Sequence, residues 1–331
     1  MKNRVIIEMK PILDITSDEW TEILAQHPQH NYQLARDGTL PLPIDALLRK
    51  IAKSSIRQIE HDNQSVWERC IKRDIPLEEH NFDPVWLGQN LAEMDELKTP
   101  GHVLLIAGDD GLSLMVRALT NSRFSHVGMV IPGETPILWQ SYINTPTKAN
   151  YPPHPDFVPG MVTNWGADVS DLARFIVMYL KISKNVKFVL RKLTQPLTET
   201  QFAHMSQYIN LALTTPVKYP SATRLTLMYL RDKYPQIQPL CDHLLGPGPI
   251  EKGGEFCSML TAHTYAEAGV LNPSTKGIEG YFPGDFSLDY SRINTQPMCG
   301  DVPLFEPNEI ELRFVHPVNY NYNYWSWCNL F

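Results

Sequence analysis

Residues 122–131 read SRFSHVGMVI, and this stretch decides the fold more than any other part of the chain. A short polar approach leads into His126, and the apolar residues after it have the composition of a buried β-strand. A second apolar run, ILWQSY, follows at residues 137–142 and contains the polar Gln140. The two runs therefore predict consecutive strands, with His126 at the start of the first.

The chain from Gly101 onward alternates strand-like and helix-like segments that Gly and Pro separate. The helix predicted after Thr198 opens with a capping box that pairs Thr198 with Gln201. The helix after Phe256 is stopped by Gly269. The predicted strands are 102–107, 126–131, 137–142 and 186–193, and the predicted helices are 112–120, 170–180, 198–213 and 256–268.

Residues 1–98 are predicted to form a helical N-terminal extension. Thr16 and Glu19 have the spacing of a capping box, and a longer helix begins after Pro43 and continues toward Cys70. Another helix is predicted over residues 84–97. The sequence thus predicts a central domain at 99–288 and a C-terminal extension at 289–331.

The C-terminal extension is rich in aromatic residues and includes NYNYNYWSW at residues 319–327. Its period of two predicts a strand with one aromatic face that packs on the central domain. The same face could instead bind a partner or lipid headgroups at a membrane surface.

Composition excludes several classes of function. The 331 residues carry 29 Lys and Arg against 36 Asp and Glu, a net charge of -7, which argues against nucleic acid as the partner. No apolar run approaches the roughly 20 residues that cross a bilayer, and no signal peptide is visible, so a cytoplasmic protein is expected. Leaderless export stays open. The five cysteines show no CxxC pair, so we expect reduced thiols, no metal and no cofactor.

Cys257 follows a glycine-rich loop and occupies the first turn of the predicted helix 256–268. Unpaired backbone N–H groups and the helix dipole favour negative charge there, so the position predicts a thiol of lowered pKa that can act as a nucleophile. The same N–H groups could stabilise an oxyanion. A buried cysteine that serves only as a small apolar residue is the structural alternative.

His126 is the candidate partner of Cys257. A strand start holds an imidazole rigidly, and Gly128 leaves room beside it. The carbonyl of Gln140 could accept the second ring N–H and so fix the tautomer. For His126 the alternative is a buried structural histidine, and for Gln140 it is a solvent-facing residue on an edge strand.

These segments, in this order, resemble the circularly permuted NlpC-like papain-fold hydrolases, the YiiX group, which are related to the lecithin:retinol acyltransferase branch. The matching stretches are Gly101 with its strand, the approach to His126-Val127-Gly128, the strand that contains Gln140, and residues 256–260, FCSML. Residues 281–286, YFPGDF, are similar to the closing Pro-x-Asp segment of the family.

The resemblance covers about residues 100–288 and implies an α+β fold, a permuted papain-like antiparallel sheet packed on helices. It implies that Cys257 is the nucleophile, His126 the base and Gln140 the orienting residue, with Tyr219, Phe256 and Ser258 contacting substrate. The substrate would be a small peptide, an amide or an acyl lipid. The resemblance does not address the oligomeric state.

Three positions depart from the family pattern. Gln140 stands where glutamate is usual, Met259 where glutamate is common, and His102 where an aspartate follows the first glycine. A glutamine orients a histidine but cannot stabilise imidazolium by charge. A catalytically silent binding module that uses the same groove is therefore the alternative function.

Overall fold

The computed structural model describes residues 56–61, 63–109, 111–143, 165–183, 185–214, 238–239, 242, 256–272, 278, 281–288 and 303–315. Almost all of them belong to one compact unit, drawn from residues 50–219 and 253–324. The Thr16 capping box, the helix start after Pro43, Tyr219 and the aromatic run 319–327 lie outside the described residues.

Seven strands of the described residues form one mixed sheet. In chain order they are β1 Ile71–Ile75, β2 His102–Ala107, β3 His126–Ile131, β4 Ile137–Ile143, β5 Trp165–Asp171, β6 Lys187–Arg191 and β7 Ile310–Phe314. Their order across the sheet is β1-β7-β6-β2-β3-β4-β5. The β1–β7 pair is parallel, and the other pairs are antiparallel.

Helices cover both faces of this sheet. They are α1 Gln64–Arg69, α2 Pro84–Glu93, α3 Gly111–Thr120, α4 Leu172–Ile182, α5 Glu199–Thr214 and α6 Cys257–Glu267, with 3-10 turns at Glu78–His80, Asp95–Leu97 and Pro283–Phe286. Residues 56–61 are also helical. The fold is therefore α+β, as predicted at this coarse level. None of the helices in the described part of the chain is long and apolar enough to cross a bilayer.

Alternation along the strands produces two apolar cores. Val103 and Leu105 point to the face that α5 and α6 cover, whereas Leu104 and Ile106 point to the face that α2 and α4 cover. Each strand of the centre is thus apolar on both faces, which explains its continuous hydrophobic sequence.

Short-range sequence signals predicted the exact ends of several helices and strands. β2 and β3 have the predicted bounds. Thr198 Oγ1 accepts from the N–H of Gln201 at 3.2 Å, and Gln201 Oε1 accepts from the N–H of Thr198 at 2.9 Å, which is the predicted capping box. Gly269 has φ +69, and the N–H of Val270 donates to the Tyr265 carbonyl at 2.8 Å, so α6 ends in a glycine-stopped Schellman turn.

The predicted helix 170–180 is wrong at its start. Residues 165–171 form β5, and Asp171 is the N-cap of α4, where its side chain accepts from the N–H of Arg174 at 2.8 Å. Because Asp and Ser compete with the helix for backbone partners, they favour this cap over the helix interior. Ser170 therefore belongs to a strand.

The helical prediction for residues 1–98 is wrong at 71–75, which form β1. This strand pairs with β7, some 239 residues further along the chain (71 against 310). Four of its five residues are exposed, so it lacks the apolar alternation that marks a strand. Because β1 and β7 join the central sheet, the domain boundaries at residues 98 and 288 cut through it.

Candidate active site

Helix α6 is fixed against the sheet by polar contacts as well as apolar packing. Thr264 Oγ1 accepts from Trp139 Nε1 at 2.9 Å, and the Tyr265 hydroxyl donates to the Gly101 carbonyl. Ser258 Oγ donates to the Tyr281 carbonyl at 2.7 Å. These contacts place the first residue of α6, Cys257, at the start of β3.

The Cys257 sulphur lies within reach of three backbone N–H groups, those of Val127, Ser258 and Cys257 itself. The Val127 N–H belongs to the peptide that joins it to His126. The thiol is therefore held one residue from the imidazole, and residues 131 positions apart in the sequence (126 against 257) are neighbours in space.

His126 is held by the end of the neighbouring strand and by β4. The N–H of Ser125 donates to the Ile106 carbonyl at 2.8 Å, and the Ser125 hydroxyl donates to the same oxygen at 3.1 Å. The His126 ring lies beside Phe175 of α4, with the centroids 5.9 Å apart. Both the backbone and the ring of His126 are thus fixed at the end of the sheet.

A chain of three buried side chains orients the imidazole. His126 Nε2 lies 2.7 Å from Gln140 Oε1, and Gln140 Nε2 donates to Ser170 Oγ at 2.9 Å. With the Gln140 amide in this orientation, Nε2 of His126 is the donor of this hydrogen bond, because a carbonyl oxygen only accepts. Gln140 thus makes the predicted contact with His126, and it is fully buried instead of facing solvent.

The side chains of His126, Gln140 and Ser170 lie on the sheet face that α4 covers, whereas α6 packs on the opposite face. Cys257 and His126 therefore approach each other only around the end of β3. Among the described residues no hydrogen bond joins the thiol to the ring, and the sulphur contacts backbone N–H groups instead. Closer contact requires a movement at this strand end.

Burial keeps both groups uncharged. Desolvation raises the pKa of the Cys257 thiol to about 11, although the three backbone N–H groups lower it in part. Desolvation lowers the pKa of His126 to about 4, although the hydrogen bond that the ring donates to Gln140 Oε1 opposes this shift. The expectation of a low thiol pKa at the helix start is wrong here, because loss of solvation outweighs the backbone donors.

No protein-family model matches the chain, and comparison with curated proteins finds no significant match.

Of the other predicted site residues, the structure describes Phe256 and Ser258 but not Tyr219. Phe256 is half-buried, and its ring is nearly parallel to that of Phe282, with the centroids 6.4 Å apart. Ser258 is fully buried, and its hydroxyl anchors α6 to Tyr281, which gives it a structural role. Tyr219 lies outside the described residues, so its contact with substrate stays a prediction.

Gly128 makes room for a leucine and not for the imidazole. A Cβ atom on this residue would lie 2.7 Å from Leu138 Cγ, which is closer than such atoms approach each other. The predicted reason for glycine at this position is therefore wrong. The close approach packs β3 against β4.

His102 stands where the family pattern has an aspartate, and it has a structural partner. Its Nδ1 accepts from the N–H of Leu193 at 3.2 Å, and burial lowers its pKa to about 4. Among the described residues no group of three or more His, Cys, Asp and Glu side chains is placed to hold a metal ion.

Two members of the candidate site could not be predicted from the sequence. Ser170 lies in a segment whose pattern predicts a helix, and its position opposite Leu138 becomes clear only from the register of β4 and β5. The Val127 N–H carries no sequence signal, because every residue except proline has one. The strand start at His126 is the only local hint of this donor.

Proposed function

We propose that this chain is a cysteine hydrolase or acyltransferase with a permuted papain-like catalytic domain. Cys257 is the nucleophile, His126 the general base and acid, and Gln140 the orienting residue. The observation that carries the proposal is the contact of the Cys257 sulphur with the Val127 N–H, one peptide from the imidazole. The order of the matching sequence segments supports the same assignment.

The proposed reaction transfers an acyl group through the sulphur. After a movement at the end of β3 brings the thiol and the imidazole together, Sγ of Cys257 attacks the substrate carbonyl carbon while the thiol proton passes to Nδ1 of His126. The tetrahedral oxyanion accepts from backbone N–H groups at the start of α6. Collapse breaks the C–N or C–O bond, and Nδ1 returns the proton to the leaving atom. Water or another acceptor then attacks the acyl-enzyme with His126 again as base.

The neutral resting pair constrains this mechanism. With pKa values of about 11 for the thiol and about 4 for the imidazole, a preformed ion pair is a minor species. Proton transfer therefore accompanies attack instead of preceding it. The resemblance supports small peptide amides and acyl esters of lipids as the two substrate classes.

Labelling of the cysteines tests the nucleophile. Iodoacetamide followed by peptide mapping should modify Cys257 faster than the buried Cys70, whose pKa is also about 11 but which lies by Glu309 instead of a histidine. With acyl-amide and acyl-ester probes, Cys257→Ala should abolish turnover, and His126→Ala should lower it by about 10²–10⁴-fold. Equal labelling of the two cysteines, together with turnover that survives Cys257→Ala, excludes the mechanism.

A catalytically silent binding module is the second candidate. The burial of Cys257, 3% exposed, and the missing thiol–imidazole hydrogen bond favour it. If the chain is a binding module, Cys257 should be unreactive at every accessible pH. If it is a hydrolase, acyl probes that resemble the substrate should open the site and label Cys257. An unreactive Cys257 in a folded protein that still binds acyl-amide probes supports the binding module.

A further inference from the structure

Glu60 and Trp67, in the helical segment before β1, contact the residues that lead into β3. Trp67 Nε1 donates to Glu60 Oε2 at 3.1 Å, and the Arg117 guanidinium donates to the other carboxylate oxygen of Glu60. The Trp67 ring packs edge to face with Phe124, with the centroids 5.6 Å apart. Residues 117–124, which join α3 to β3, are therefore contacted at both ends by the same helical segment.

Arg117 extends this contact to the end of β2. Its side chain is 4% exposed, and it also donates to the Gly108 carbonyl at 3.2 Å. The N–H of Gly108 donates to Ser125 Oγ at 3.3 Å, and Ser125 Oγ donates to the Ile106 carbonyl at 3.1 Å. Through these bonds the ion pair of Glu60 with Arg117 holds the loop after β2 and the residue before His126.

The start of β3 also covers the candidate nucleophile. Cys257 is 3% exposed, and its sulphur lies at the N–H of Val127, two residues after Ser125. A strand start that moves away from α6 uncovers the sulphur. The contacts that hold Ser125 in place therefore limit access to the thiol.

We propose that the ion pair of Glu60 with Arg117 is an autoinhibitory contact that holds the start of β3 over the Cys257 thiol. Its effect on access to the thiol is independent of any activity, whereas its effect on turnover rests on the proposed hydrolase function. Without the Glu60 carboxylate, a buried guanidinium loses its counter-charge, which favours a conformation in which Arg117 leaves Gly108 and reaches water. The Glu60 side chain is 39% exposed, so the ion pair can break from the solvent side without opening the core.

Amide hydrogen exchange of the full chain, followed by NMR, tests the structural part of the proposal. Glu60→Gln keeps the size of the side chain and removes its charge. It should speed exchange at Gly108 and Ser125 by about tenfold, as expected for the loss of one charge-assisted hydrogen bond. Amides in the β2–β6 pair should keep their wild-type rates, because they report global opening. Glu68→Gln is the matched control, since Glu68 is an exposed carboxylate of α1 that accepts from Gln64 Nε2 at 3.0 Å.

The second measurement is the rate at which iodoacetamide labels Cys257. Labelling of Glu60→Gln should be about tenfold faster than that of the wild type, whereas Glu68→Gln should match the wild type. Trp67→Phe, which keeps an aromatic ring and removes the N–H that holds Glu60, should change labelling in the same direction by a smaller factor.

The outcomes separate this contact from the proposed activity. Faster labelling of Cys257 in Glu60→Gln, with no turnover of acyl-amide or acyl-ester probes by either protein, keeps the autoinhibitory contact and removes the hydrolase. Exchange at Ser125 that rises only in step with the β2–β6 amides shows that Glu60 stabilises the whole fold, and it overturns the proposal. A wild-type rate of Cys257 labelling in folded Glu60→Gln and folded Trp67→Phe overturns it as well.

Discussion

The sulphur of Cys257 lies at the backbone N–H of Val127, the residue that follows His126 at the start of β3. The contact joins the first turn of α6 to the first peptide of a central strand. It brings Cys257 and His126 to the same end of the sheet. Cys257 lies on the face that α6 covers, whereas the His126 ring lies on the face that α4 covers. The proposed reactivity of Cys257 would therefore depend on the structure at this end of the sheet.

Alkylation of Cys257 should increase with pH without a plateau below pH 9. The thiolate is the reactive form, and burial raises the pKa of this thiol to about 11. The rate of iodoacetamide labelling, followed by peptide mapping between pH 5 and 10, measures it. A plateau that is already reached near pH 6 would show a thiolate–imidazolium pair and contradict the neutral resting state.

The protein should lose stability as the pH falls from about 6.5 to about 4. His102 and His126 have folded-state pKa values of about 4, lower than the ordinary 6.5, so the unfolded chain binds more protons in this window. The stabilisation is complete above 6.5 and disappears toward 4, on the order of 3 kcal/mol for each histidine. Urea unfolding at pH 7 and pH 4.5 measures the difference.

The two histidines can be separated by substitution. His102→Gln and His126→Gln should each reduce the pH dependence of the free energy of unfolding, because each removes one buried titrating ring. His204→Gln, on the exposed surface of α5, should leave the pH dependence as it is in the wild type. Variants of His102 and His126 with the full wild-type pH dependence would show that other groups cause the acid instability.

Glu309→Gln should destabilise the fold by about 3–5 kcal/mol, because it leaves a buried guanidinium without its counter-charge. The Glu309 carboxylate accepts hydrogen bonds from the Arg123 guanidinium at 2.6 Å and from the N–H of Leu288 at 2.9 Å. The side chains of Glu309 and Arg123 are both fully buried. The exposed pair of Arg313 with Asp74 provides the matched control, since Asp74→Asn should change stability little. Similar urea midpoints for the two variants would rule out a structural role for the Glu309 carboxylate.

Gly128→Ala should destabilise the protein by about 1–3 kcal/mol, because its methyl group would overlap Leu138. The unfolding free energy should recover in part when Leu138→Ala is added, since the second change removes the atoms that the methyl group meets at 2.7 Å. Strictly additive losses in this double-mutant cycle would show that the two residues are not in contact.

The local elements could be predicted from the sequence because their signals are short-range. The apolar runs of β2 and β3, the Thr198–Gln201 capping box and the Gly269 helix stop depend on residues within a few positions of one another. The candidate pair of Cys257 and His126 came from the same source, a helix start and a strand start. What these signals could not supply was β1, whose exposed and charged residues pair with β7 from the far end of the chain.

The sequence by itself predicted an α+β chain with a thiol at a helix start and an imidazole at a strand start, and it left Gln140 as either the orienting residue or a solvent-facing one. Only the tertiary structure decided that Ser170 completes the hydrogen-bonded chain, that the Val127 N–H points to the Cys257 sulphur and that burial keeps Cys257 and His126 uncharged at neutral pH. The physical reason is that hydrogen-bond partners across strands and the loss of solvation are set by residues far apart in sequence, whereas helix caps and strand periodicity are set by near neighbours.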